Sequence, residues 1–130
     1  MPYALLPDME QELIDWLTAH AGLAALHGGR VATELQSDLT CLQVTSLGGG
    51  QPWPWEASPE FQVSSWGGTK ARASLLDRTL IAAAYELVGT PVDGGHVSGV
   101  AVRLKSLWSP DEETNRPRYR SDLSFLIHPA

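Results

Sequence analysis

The side chains able to do chemistry are few and scattered in this sequence of 130 residues. The only cysteine, Cys41, could act as a nucleophile only with a base beside it, and His27 or His96 would have to supply it. Cys41 lies in the run LTCLQVTSL, which reads as a strand, so a small buried apolar residue is the plainer expectation. No serine occupies a G-x-S-x-G elbow. The histidines His20, His27, His96 and His128 stand singly, with no C-x-x-C, H-x-H or H-E-x-x-H spacing, so neither a metal nor another cofactor is expected. His20 falls on or beside the apolar face of a helix, where a helix-end or packed imidazole is expected. Asp111, Glu112 and Glu113 adjoin one another, but adjacent acids at a hairpin tip usually form a solvated edge. The segment SSWGGTKARA could hold an anion at a helix start; it lacks the order of a P-loop, and Gly67-Gly68 reads first as a sharp strand-to-helix turn. No catalytic constellation emerges, and the chain is not expected to be an enzyme.

What stands out instead is GGGQPWPWEASPEFQVSSWGG, which gathers Trp53, Trp55 and Trp66. Trp66 ends an extended run just before a helix and is expected to pack in the core at the helix base. Trp53 and Trp55 lie in W-P-W, where the prolines favour a stiff extended loop with the rings near opposite sides. An indole carries roughly 150 to 250 Å² of surface, and leaving it in water forgoes on the order of a few kcal/mol. Base stacking normally accompanies a basic groove, whereas the nearest charges here are Glu56 and Glu60. Folding back over the chain's own sheet and burial against another subunit stand level as outlets, and a sugar platform stays open.

The elements that must position these residues follow from periodicity and capping. Asp8, with Gln11 three residues on, opens a helix predicted over Asp8 to Ala21; Met9, Leu13, Trp16, Leu17 and His20 mark its stripe and Gly22 its stop. RVATEL is a short strand candidate, and Gln36-Ser37-Asp38 turns it into LTCLQVTSL. There Leu39, Cys41, Leu42, Val44 and Leu47 suit a central strand covered on both sides. QPWPWEASP is too proline-rich for a ladder interior and reads as a long hairpin connection to EFQVSSW. Thr69 caps a second helix with Arg72, Leu76, Leu80, Ala83 and Leu87 along its stripe, until Gly89-Thr90-Pro91 stops it. VSGVAVRLKSLW and RYRSDLSFLI then form two long antiparallel strands with a polar tip over 109–117.

The fold class predicted is a small single α+β domain, residues 1–130, with a mostly antiparallel sheet of about five strands and two helices packed on it. Apolar residues make up 43% and charged residues 18%, the balance of a soluble globular domain. A chain of this length buries roughly two-thirds of its unfolded surface and can build a core without disulfides or metal. No apolar run approaches the ~20 residues a membrane span requires, and the first residues lack a signal-peptide pattern, so an intracellular soluble protein is expected. A net charge of −6 disfavours non-specific nucleic-acid binding.

Across most of its length the chain resembles the tail terminator proteins of long-tailed phages, particularly those infecting actinobacteria, often labelled minor tail or tail completion proteins. The likeness is carried by DMEQELIDWLTAH, GGRVATELQSD, LQVTSLGGG, FQVSSWGGTKARASLLDRTLIAAAYEL and VRLKSLWSPDEETNRPRYRSDLSFLIHP. It implies a small subunit that assembles as a hexameric ring at the head-proximal end of the tail, after synthesis in the host cytoplasm. That ring would cap the tail tube, stop its polymerisation and present a surface for the head-tail connector, while DNA passes through its lumen without specific binding. Against that background, Trp53 and Trp55, with Arg116, Arg118 and Arg120 at and beside the 109–117 tip, are the expected contacts with neighbouring subunits or the tube; an ordinary solvated strand face is the other reading of the arginines. A head-tail connector or stopper subunit, and a tryptophan-based carbohydrate-binding module, are the alternatives.

Overall fold

The computed structural model describes residues 5–35 and 40–129. The Asp8 carboxylate accepts from the Gln11 N–H and opens α1 (Met9–Ala19), whose Met9, Leu13 and Leu17 are buried. The single first helix expected from the sequence is in fact two. The chain leaves the helix at His20 (φ −64°, ψ 118°), and the imidazole Nδ1 accepts from the Leu23 N–H to start α2 (Ala21–His27). Gly22 therefore lies inside a helix, and the stop comes at Gly28, in the left-handed region at φ 59°. A side-chain acceptor at His20 makes the break inexpensive, and the bend lets Leu17 and Leu23 both reach the core.

Six strands form one sheet, in the order β1-β2-β3-β6-β5-β4. They are β1 (Val31–Ala32), β2 (Cys41–Trp53), β3 (Glu56–Trp66), β4 (Pro91–Val92), β5 (Gly95–Trp108) and β6 (Arg118–Pro129). The class is α+β, but with three helices rather than two, and with the short β4 as a strand the sequence did not suggest. Of RVATEL only Val31 and Ala32 pair, and they pair parallel to β2, which makes the sheet mixed. The expected turn at Gln36-Ser37-Asp38, and Leu39 after it, lie outside the described residues. Nor is β2 a covered central strand: β1 reaches it only at Leu42 and Gln43, and from Thr45 onward it is exposed, Leu47 included.

The Thr69 hydroxyl accepts from the Arg72 N–H at 3.1 Å and opens α3 (Lys70–Glu86). The turn before it needs glycine, because a Cβ on Gly67 would come within 2.6 Å of the Ala73 nitrogen. Ala73, Leu76, Leu80, Ala83, Ala84 and Leu87 face the sheet, while Arg72 and Tyr85 are exposed. With α1 and α2 they cover Leu42, Val44, Phe61, Val63, Leu123, Phe125 and Ile127, forming one core on one face of the sheet. Trp16 ties α1 to α3 by donating its indole N–H to the Ala83 carbonyl.

Candidate functional site

The tryptophan segment is not a loop. β2 and β3 stay paired out to Trp53 and Glu56, and the chain reverses within Pro54-Trp55. The prolines are tolerated because Pro54 forms the turn itself and each of the other two falls at an interruption of one ladder. Pro52 lies in the irregularity between Gly50 and Trp53, and Pro59 in the gap of the β3–β6 ladder between Ala57 and Glu60. Gly49, at φ 133°, crosses so close to β3 that a Cβ would stand 2.2 Å from the Ser58 carbonyl oxygen. The tight turn brings the two indoles to the same side. They stack at 5.6 Å with planes 9° apart, not on opposite sides as an extended W-P-W predicts. The rings do not fold back over the sheet: both are 55% exposed, and each offers only its outer face once the pair is stacked.

The arginines lie at the other end of the sheet. β6 pairs with β3 from Ala57↔Ile127 to Trp66↔Arg118, so the two hairpin ends are separated by about 30 Å of strand. Trp66 is buried, as expected, but not at the helix base. Alternation from Val63, which faces the core, turns Trp66 to the opposite face, because three steps along a strand reverse the side. There its indole N–H donates to Gln43 Oε1 at 3.2 Å, and the guanidiniums of Arg116 and Arg118 lie over its ring at 5.0 and 4.9 Å. This is cation–π packing that closes the helix-free face.

Arg116 also reaches Cys41 Sγ at 3.8 Å, and Arg118 donates to the carbonyl and hydroxyl of Ser109. Arg120 forms a two-bond pair with Asp122, two residues along its own strand, and that carboxylate raises the arginine's proton affinity. The structure thus joins Arg116 and Arg118, gives Arg120 a partner of its own, and keeps all three remote from Trp53 and Trp55. The tip between β5 and β6 is held by Asp111, which accepts from the Thr114 N–H and hydroxyl; these bonds hold its carboxyl below the ordinary range.

The groups that could do chemistry are occupied structurally. His27 is fully buried; its Nε2 donates to the Leu17 carbonyl and its Nδ1 accepts from the Gly29 N–H, so both nitrogens are bound to backbone and burial lowers its proton affinity. Cys41 is buried, and desolvation pushes its thiol up. His96 and His128 stack at 5.0 Å across β5 and β6. Among the described residues no three His, Cys, Asp or Glu side chains converge as metal ligands, and no helix is long and apolar enough to cross a membrane.

One polar cluster escaped the sequence reading. Asp77, on the buried face of α3, accepts from the hydroxyls of Ser106 (2.5 Å) and Ser121 (2.7 Å), and the Ser121 hydroxyl accepts in turn from the Ser106 N–H. The signal was present, since residue 77 follows Ala73 by four and precedes Leu80 by three. Ser106 sits where the β5–β6 register shifts, with φ at 54°. Near that end of the molecule Trp108 packs on Tyr119 with the Lys70 ammonium 4.7 Å from its ring.

No protein-family profile matches the chain, and no curated protein matches it. Among solved structures it is similar to a chain of the virion of a native gene transfer agent (GTA) particle, with a TM-score of 0.65 and 21% identity over 93% of each chain. The two chains share a fold.

Proposed function

We propose that this chain is a structural subunit of a phage or phage-like virion, and that it acts at the head-proximal end of the tail. There it closes as a ring on the finished tail tube, ends polymerisation and offers its far face to the head connector. The observation that carries the reading is the tip of the β2–β3 hairpin, which extends past the last β3–β6 pair at Ala57 and holds two stacked indoles, each 55% exposed, in water. Such surface is stable in solution but gains by burial against another chain. The fold shared with a chain of a gene transfer agent virion supports a virion structural role, and the sequence resemblance to tail terminators supports the place at the tail end. A net charge of −6 suits a subunit lining or flanking a passage for DNA, because like charge prevents adhesion to phosphates.

The test is deletion of the coding sequence in the particle that carries it, followed by electron microscopy of the lysate. Filled heads without tails, together with tail tubes of uncontrolled length, are expected. Tubes of normal length left unattached to heads would move the subunit to the connector, and normal joined particles would remove the reading altogether. Purified protein added to growing tubes should fix their length, and the Trp53→Ala/Trp55→Ala form should do so poorly while remaining folded.

A further inference from the structure

Among the described residues, both outer edges of the sheet are open over most of their length. Among the described residues, β1 covers β2 only at Leu42 and Gln43, and β4 covers β5 only at Gly95 and His96. From Thr45 to Trp53 on one side, and from Ser98 to Trp108 on the other, no described strand pairs with the outer edge; Val97 still exchanges backbone bonds with Gly89 and Thr90. An open edge presents unpaired N–H and C=O groups and is a template for another strand.

Charge distinguishes the two edges. The outer strand β2 is itself uncharged from Cys41 to Trp53, but β3 behind it carries Glu56, opposite Trp53, and Glu60, opposite Gly48, and the hairpin arm from Thr45 to Val63 has no basic residue; β5 from Val97 to Trp108 carries Arg103 and Lys105, both exposed, and no acid. Direction distinguishes them as well. Successive antiparallel pairings β2–β3, β3–β6 and β6–β5 leave β2 and β5 running in opposite senses. A copy rotated about an axis lying roughly along the strands therefore brings its β2 antiparallel to the first copy's β5. Pairing two β5 edges would instead bring Arg103 and Lys105 against like charges, and pairing two β2 edges would bring the carboxylates of Glu56 and Glu60 together from one strand behind, so neither offers the opposite charge that a β2–β5 contact does.

We infer that a second copy of this chain is the partner of each edge. The acidic β2–β3 arm of one subunit docks head-to-tail along the basic β5 edge of the next, with the stacked Trp53 and Trp55 buried by the contact. A heterologous contact of this kind closes into a ring when its rotation divides a full turn. The register shifts after Val97, Val102 and Leu104 in β5, and after Ser46 in β2, restrict pairing to short segments of defined register and oppose open-ended strand addition. This inference rests on the ring reading above and specifies which surfaces meet.

The experiment uses two variants of the full chain: an arm variant, Trp53→Ala/Trp55→Ala/Glu56→Lys, and an edge variant, Arg103→Glu/Lys105→Glu. Masses are read by light scattering and sedimentation, with circular dichroism as the check on folding. The wild type is expected to associate with rising concentration and each variant alone to stay monomeric. An equimolar mixture should yield a one-to-one heterodimer, because one intact arm and one intact edge remain between the two. Charge reversal offers a second route: Glu56→Lys/Glu60→Lys alone should abolish association, and combining it with Arg103→Glu/Lys105→Glu in one chain should restore it. A wild type that associates while the mixture stays monomeric, or variants that associate unaided, would overturn the inference and leave the ring reading intact. A wild type monomeric at every concentration would also overturn it, and the deletion phenotype would then decide the ring reading by itself.

Discussion

Removal of the Asp77 carboxylate is the sharpest test of how α3 is fixed to the sheet. The side chain is 1% exposed and accepts two hydroxyl hydrogen bonds, one from each strand of the β5–β6 hairpin. Asp77→Ala leaves the Ser106 and Ser121 hydroxyls without that acceptor. At about 1 to 3 kcal/mol for a buried group so stranded, the full cost for the buried Ser121 and a smaller one for the half-buried Ser106, the expected loss is about 3 kcal/mol. For a domain of this length that lowers the melting temperature by roughly 10 °C. Ser106 adds an internal control, because its φ of 54° favours glycine. Ser106→Ala should cost more than Ser106→Gly, by about 1 kcal/mol, since glycine relieves the left-handed backbone. Urea unfolding of Asp77→Ala, Ser106→Ala and the double variant closes a thermodynamic cycle, and a coupling of about 1 to 2 kcal/mol is expected for groups in direct contact. If Asp77→Ala unfolds within ~0.5 kcal/mol of the wild type, a change typical of ordinary surface sites, the network is not what anchors the helix.

The remaining expectations concern His27, Cys41 and Thr69. Burial lowers the proton affinity of His27 below the ordinary 6.5, so as pH falls below that value the unfolded chain takes up a proton that the folded chain excludes, and stability declines. Unfolding free energies from urea titrations between pH 7.5 and 5 should fall with a slope of up to about 1.4 kcal/mol per pH unit, and His27→Gln should flatten that slope. The Cys41 thiol, buried and held protonated, should resist a thiol reagent at neutral pH in the native state and react promptly in denaturant, as absorbance at the reagent's chromophore reports. Thr69→Ala removes the acceptor for the Arg72 N–H and should cost about 1 kcal/mol by thermal melting, with the β2–β3 arm unaffected.

The parts of the fold legible in the sequence are those governed by neighbours along the chain. Asp8 and Thr69 mark helix starts because their side chains bond N–H groups three residues on. The β5–β6 hairpin is announced by its alternation and polar tip, and the burial of Cys41 by its place in an apolar strand. Other features depended on partners distant in sequence. The helix break at His20 was obscured because a histidine rarely advertises itself as a cap, and Gly22 looked like the stop. The tryptophan segment reads as a loop because three prolines argue against a ladder, yet Pro54 sits in the turn and Pro52 and Pro59 at interruptions of the β2–β3 and β3–β6 ladders.

The amino-acid order alone determined the local geometry: where helices begin, which strands alternate, and that Trp53 and Trp55 share one short proline-bound stretch. Tertiary structure decided which side of the sheet each ring occupies. It set Trp66 under Arg116 and Arg118 on the helix-free face, left the stacked pair in water about 30 Å away along the strands, and opened both edges of the sheet. The reason is physical: capping and alternation act over three or four residues, whereas strand order and register are fixed by the burial of one shared core, to which the whole chain contributes.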